Sequence, residues 1–126
     1  MRHGLRRGYP PGSHTDWRSH AARVQRASDS YARHYGIDRD RDWYVLKMLE
    51  ESGEVAKAWN RLTHRGRRRD ASASDLARDL EDELADLLGM VLLVAHQNDV
   101  DLDAAIRGKW HFDPAAIPDD QAEKAE

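Results

Sequence analysis

From Asp75 to Gln97 the apolar residues recur at helical spacing, and this pattern limits the fold more than any other feature of the chain. At about 100° per residue Leu80, Leu84, Leu87, Val91 and Val94 share one arc. A similar arc runs from Asp42 to Thr63 through Tyr44, Met48, Val55, Ala58, Trp59 and Leu62, with Val45 and Leu49 on its flank. Nowhere does apolar and polar alternation last long enough to make a strand. The expected class is therefore all-α, with two further helices at Asp16 to Tyr35 and Asp101 to Trp110. Gly36 suits the end of the first, and Thr15 or Asp16, Ser74 and Asp101 are candidate N-caps.

With 126 residues the chain has room for one small domain with a thin core. Thin cores tend to be shared, so an oligomer is expected. Residues 1–15, with three glycines, two prolines and no apolar period, read as a disordered leader. Residues 16–112 form the helical domain and 113–126 a disordered acidic tail. The longest apolar run, Met90 to Ala95, falls far short of the roughly 20 residues of a membrane span. The absence of cysteine excludes disulfides and thiolate zinc ligation. No signal-peptide pattern is present in residues 1–12, and a cytoplasmic location is expected. Charge is divided along the chain: 16 basic against 8 acidic residues in 1–69, then 4 against 15 in 70–126. The N-terminal arginines lack the interleaved aromatics of a nucleic-acid strand site, so no stable nucleic-acid or membrane partner is expected.

Four of the acids stand where apolar residues belong. On the second segment Glu51 falls between Ala58 and Leu62, and Glu54 at the edge of the same arc; on the third, Glu83 and Asp86 flank Met90. Each pair is spaced i, i+3, so its side chains lie one helical turn apart on one face. A buried carboxylate costs several kcal/mol unless it is compensated. If the two helices pack side by side, a divalent cation is the economical compensation, and carboxylate-only ligation favours Mg²⁺ or Mn²⁺ over zinc or copper. An ordinary solvated helix face is the competing reading of either pair alone. A di-iron centre is disfavoured because no Glu-x-x-His pair is present.

Three stretches, KMLEESGEVAKAWNRLT from Lys47, DELADLLGMVLLVA from Asp82 and DVDLDAAIRGKW from Asp99, together resemble the MazG-type all-α nucleoside triphosphate pyrophosphohydrolases over residues 42–110. The resemblance implies a four-helix-bundle-like fold assembled from two or four chains. It assigns Glu51, Glu54, Glu83 and Asp86 as metal ligands. Glu50, at the first Glu of the family pattern and on the polar edge of its helix, becomes a catalytic candidate outside that ligand set. Lys109 matches a lysine that the family places near the phosphates, although WHFDPAA follows it in place of a basic run. Lys47, Arg67 of the Arg65 to Arg69 loop, and Trp59 complete the candidate substrate contacts; Trp59 and Trp43, both on the apolar side of the second segment, suit packing better than base stacking, and the loop stands equally as a solvated one. The implied activity is Mg²⁺- or Mn²⁺-dependent hydrolysis of a nucleotide between the α and β phosphates, giving a monophosphate and pyrophosphate. A phosphoribosyl-ATP pyrophosphohydrolase and a non-catalytic helical oligomerisation or regulatory module are the alternatives.

Overall fold

A computed structural model describes residues 17–111. The expected leader, the acidic tail and the N-cap at Thr15 or Asp16 lie outside the described residues. Within them the chain forms four helices, α1 (Trp17–Tyr35), α2 (Arg41–Leu62), α3 (Ala73–Gln97) and α4 (Leu102–Trp110), and no strand. Helix ends follow local chemistry. Gly36 takes a left-handed φ of 65° past the end of α1, a conformation that costs glycine nothing, and Ile37 N–H reaches back to the Ala32 carbonyl at 2.9 Å. Asp40 caps α2 by accepting from Trp43 N–H at 2.7 Å. The cap of α3 is Ser72, two residues earlier than the expected Ser74. Its hydroxyl accepts from Asp75 N–H at 3.1 Å while the Asp75 carboxylate accepts from Ser72 N–H at 3.3 Å. This reciprocal box satisfies two otherwise orphan donors, an advantage that Ser74 lacks. Asp101 caps α4 as expected.

Helix α3 is the spine. Helix α2 lies antiparallel along it: Arg41 donates to Asn98 at one end (2.8 Å), and Arg61 pairs with Asp79 towards the other (3.3 Å). The core is a cluster of Tyr44, Met90 and Leu93, joined by Val24 of α1 and by Trp43, Met48 and Val94. Truncating Met90 or Leu93 to alanine should cost about 2–5 kcal/mol, as for other buried aliphatic side chains. Helix α1 closes the other side of α3. Gln25 is buried there, donating to Asp29 at 2.8 Å and accepting from Gln97 at 2.7 Å, so its amide is satisfied on both sides.

The apolar run Met90 to Ala95 is largely buried within one chain, since Met90, Leu92, Leu93 and Ala95 are all interior. The exposed apolar residues lie elsewhere. Val45, Leu46 and Leu49 on α2 and Leu84 and Leu88 on α3 face outwards, with Leu46 64% and Leu49 69% accessible. Leu84 therefore departs from the buried position that its helical arc implied. Three helices cannot enclose α3 on every side, and the arc about Leu76, Met90 and Leu93 takes the cover.

Candidate metal centre

Midway along the α2 and α3 seam the apolar contact is interrupted by acids. One oxygen from each of Glu51, Glu83 and Asp86 lies within 4.8 Å of the others. The arrangement follows from two helical facts. The i, i+3 spacing stacks Glu83 and Asp86 on one face, and the antiparallel register brings Glu51 opposite them. Glu51 and Glu83 are half-buried, whereas Asp86 is exposed. Glu54 is also half-buried and stands outside the three-oxygen group. Burial, and then the charges of Asp86, Glu51 and Glu54, hold the Glu83 carboxyl above the ordinary carboxylate range. All four acids thus share one electrostatic environment.

A cleft of about 480 Å³ opens over this group. Its walls include Glu51, Asp86 and Met90, Lys47 and Trp43 from α2, and Tyr31 from α1. Lys47 reaches Glu50 at 3.2 Å and Glu51 at 3.6 Å, and its ammonium is held above the usual lysine range by the Glu50 hydrogen bond foremost. Arg39, in the connection between α1 and α2, also lines the cleft. Its guanidinium bonds Ser28 and Asp29 and lies 5.4 Å from the Tyr44 ring centroid, a cation–π distance. Asp29 is in turn held below the ordinary carboxylate range by the Arg39 hydrogen bond, then by that of Gln25.

The other candidates are distributed around the molecule. Glu50 is exposed and engaged with Lys47. Trp59, 50% accessible, does not line the acidic cleft. Lys109 is exposed in the last turn of α4, a helix that packs on α1. Arg67 lines a separate cleft behind α2. Of the cleft residues Arg39, Trp43 and Tyr31, the sequence singled out Trp43 alone, and as a packing residue in preference to a stacking one. Trp43, four residues before Lys47 and eight before Glu51, carried a positional signal, because helical spacing puts all three on one side. Arg39 and Tyr31 carried none, because they reach the cleft through the docking of α1.

Oxygen donors converge from two packed helices beside a cleft with two cationic side chains, which defines the class: an all-α protein with a carboxylate cluster whose donors could hold a metal ion. The family model described as the MazG nucleotide pyrophosphohydrolase domain matches residues 40–110, more than half of the 126. The chain belongs to the MazG nucleotide pyrophosphohydrolase family. No curated protein and no solved structure matches it significantly.

Proposed function

We propose that the chain hydrolyses a nucleoside triphosphate or deoxynucleoside triphosphate between the α and β phosphates, releasing a nucleoside monophosphate and pyrophosphate, with Mg²⁺ or Mn²⁺ as the metal. The observation that carries this reading is the approach of Glu51, Glu83 and Asp86 to within 4.8 Å, in a chain of this family. The donor set fits the cofactor. Three hard oxygen donors with mutual repulsion accept a hard divalent cation in preference to a soft one. Glu51, Glu83 and Asp86 would hold it, with Glu54 beside them. When bound, the metal supplies charge neutralisation on phosphate oxygens and lowers the pKa of an attacking water.

The protein's own groups divide the remaining work. Lys47 and Arg39 flank the acids in the same cleft and can orient phosphate oxygens through charge-assisted hydrogen bonds. Glu50, bonded to Lys47, fixes where that ammonium points, and its exposed carboxylate is the group available to take a proton from water. Trp43 and Tyr31 give the cleft an apolar wall. A homodimer or homotetramer in the cytoplasm belongs to the same reading, and the accessible Leu46 and Leu49 support the assembly. The test is pyrophosphate release from a panel of ribo- and deoxynucleotides, phosphoribosyl-ATP included, with Mg²⁺, Mn²⁺ or EDTA. Metal-dependent release from a nucleoside triphosphate is expected; no release from any nucleotide would reject the proposal.

A further inference from the structure

We propose that the cleft between the back of α2 and the loop joining α2 to α3 is a binding site for a chain of phosphate groups, separate from the carboxylate centre. Gly53, Ala56, Lys57 and Asn60 line it from the helix. At 100° per residue they stand about half a turn of the helix away from Tyr44, Glu51 and Ala58, the side that meets α3. The two clefts share no lining residue, so a ligand here does not reach the metal centre of the same chain.

Charge selects the ligand. Lys57, Arg61, Arg65, Arg67 and Arg69 face a cleft of about 590 Å³ with no acid in its lining, a volume typical of small-molecule sites. Arg61 is offset by Asp79 at 3.3 Å, which leaves four positive charges. A single phosphate cannot balance four charges, whereas a triphosphate chain can. Arginine forks bind phosphate oxygens in pairs. The lining contains no aromatic ring, and stacking rings are what a nucleic-acid strand site uses. A short phosphate chain is therefore favoured over a strand.

The loop is also built in advance. Arg61 Nε donates to the Arg67 carbonyl at 3.0 Å and its Nη2 to the Arg68 carbonyl at 3.3 Å. Arg65 N–H donates to the Asn60 carbonyl at 2.7 Å. His64, Arg69 and Asp70 take left-handed φ values of 65°, 47° and 59°, unfavourable for residues with a Cβ unless their surroundings hold them. Spending one arginine to fix a strained loop that presents three more is the economy of a binding surface.

The test is titration calorimetry of the full chain with inorganic tripolyphosphate in EDTA, where no metal is present and the carboxylate cleft repels anions. One-to-one binding that weakens with rising salt is expected. It should fall by roughly tenfold or more in Arg65→Ala/Arg67→Ala/Arg69→Ala, the loss that goes with removing charge-assisted hydrogen bonds. Lys57→Ala, on an exposed helix position, should weaken it independently of loop folding, and Asp86→Asn should leave it intact. Equal affinity for a deoxynucleoside triphosphate assigns the site to the phosphate chain alone, and tighter binding assigns it to a nucleotide. No binding at millimolar tripolyphosphate, or undiminished binding by both basic variants, would overturn the proposal. Tighter binding of a short oligonucleotide of the same charge would replace it with a strand site. With metal chelated there is no turnover, so the outcome is independent of the hydrolysis proposed above.

Discussion

Replacing Glu83 with glutamine keeps the shape of the side chain and removes one negative charge from the acidic group. Among the described residues no cation pairs with Glu83, and the strongest repulsion on it comes from Asp86 and Glu51. The oxygens lie no more than 4.8 Å apart, a separation at which two unit charges repel by at least about 0.9 kcal/mol at the dielectric of water. Two such neighbours give about 1.7 kcal/mol, which salt lowers towards about 1 and partial burial raises again. Metal-free Glu83→Gln should therefore be more stable than the parent by about 1–2 kcal/mol, or roughly 3–8 °C in Tm for a chain of this size. With saturating Mg²⁺ the order should reverse. A metal at one hundred times its Kd adds about 2.7 kcal/mol to the parent, and the variant, short of one ligand, gains much less. Thermal melts of both proteins in EDTA and in a Mg²⁺ series measure all four quantities. A variant that melts below the parent in EDTA, and gains as much from Mg²⁺, would refute both the repulsion and the shared site.

Three further outcomes test other parts of the molecule. Lys47→Ala should lower kcat by about ten- to a thousandfold, the loss of one charge-stabilising contact of about 1.4–4 kcal/mol, and by more than Lys109→Ala. A larger loss with Lys109→Ala would mean that α4, not α2, carries the phosphate contact. The Asp29 carboxyl lies below its ordinary range, so its contribution is present at neutral pH, begins to be lost as pH falls through the unfolded carboxylate range, and is gone below the lowered folded value. The Tm difference between the parent and Asp29→Asn should narrow as pH is lowered from 7 through the carboxylate range, and a gap that does not narrow would deny the Arg39 pairing its role. Leu49→Asp should convert a dimer or tetramer to monomer, read by light scattering; a parent that is already monomeric at micromolar concentration would reject assembly through this face.

The four helices were legible because their caps and periods are local properties. Asp101 caps α4 where a polar residue precedes the helical period, and Gly36 closes α1 as its lack of a Cβ allows; the Asp40 cap of α2 stands just before the start at Asp42 that the sequence suggested. Ser72 rather than Ser74 caps α3 because a reciprocal bond to Asp75 decides between two serines that look alike in sequence. Glu51, Glu83 and Asp86 were legible for a different reason: their positions among buried neighbours violate the pattern, and a violation that recurs on two helices at the same spacing has few physical resolutions. The side of α3 left uncovered was not legible. Leu84 and Leu88 satisfy the helical period as well as Leu76 does, yet they face outwards while Leu76 is interior, because periodicity states that a face is apolar and not which neighbour meets it.

The same limit explains why the basic residues needed the structure. Lys109, Lys47, Arg39 and Arg67 are equally plausible phosphate ligands when read as residue types, and nothing in their spacing ranks them. Packing does. Lys47 is tied by helical geometry to Glu51, one turn away, and Arg39 is brought over the same cleft by its bond to Asp29 of α1. The arginine loop is carried by α2 to the opposite side. One helix therefore presents acids with a few selected cations on the face that meets α3, and on its back Lys57 and Arg61 beside the arginine loop. An anion drawn to the chain through its basic surface meets two environments of different kind. In the reading proposed above, the first takes phosphate together with a divalent cation, which offsets the repulsion of its carboxylates. The second, as proposed, needs no metal, and its attraction weakens as salt rises.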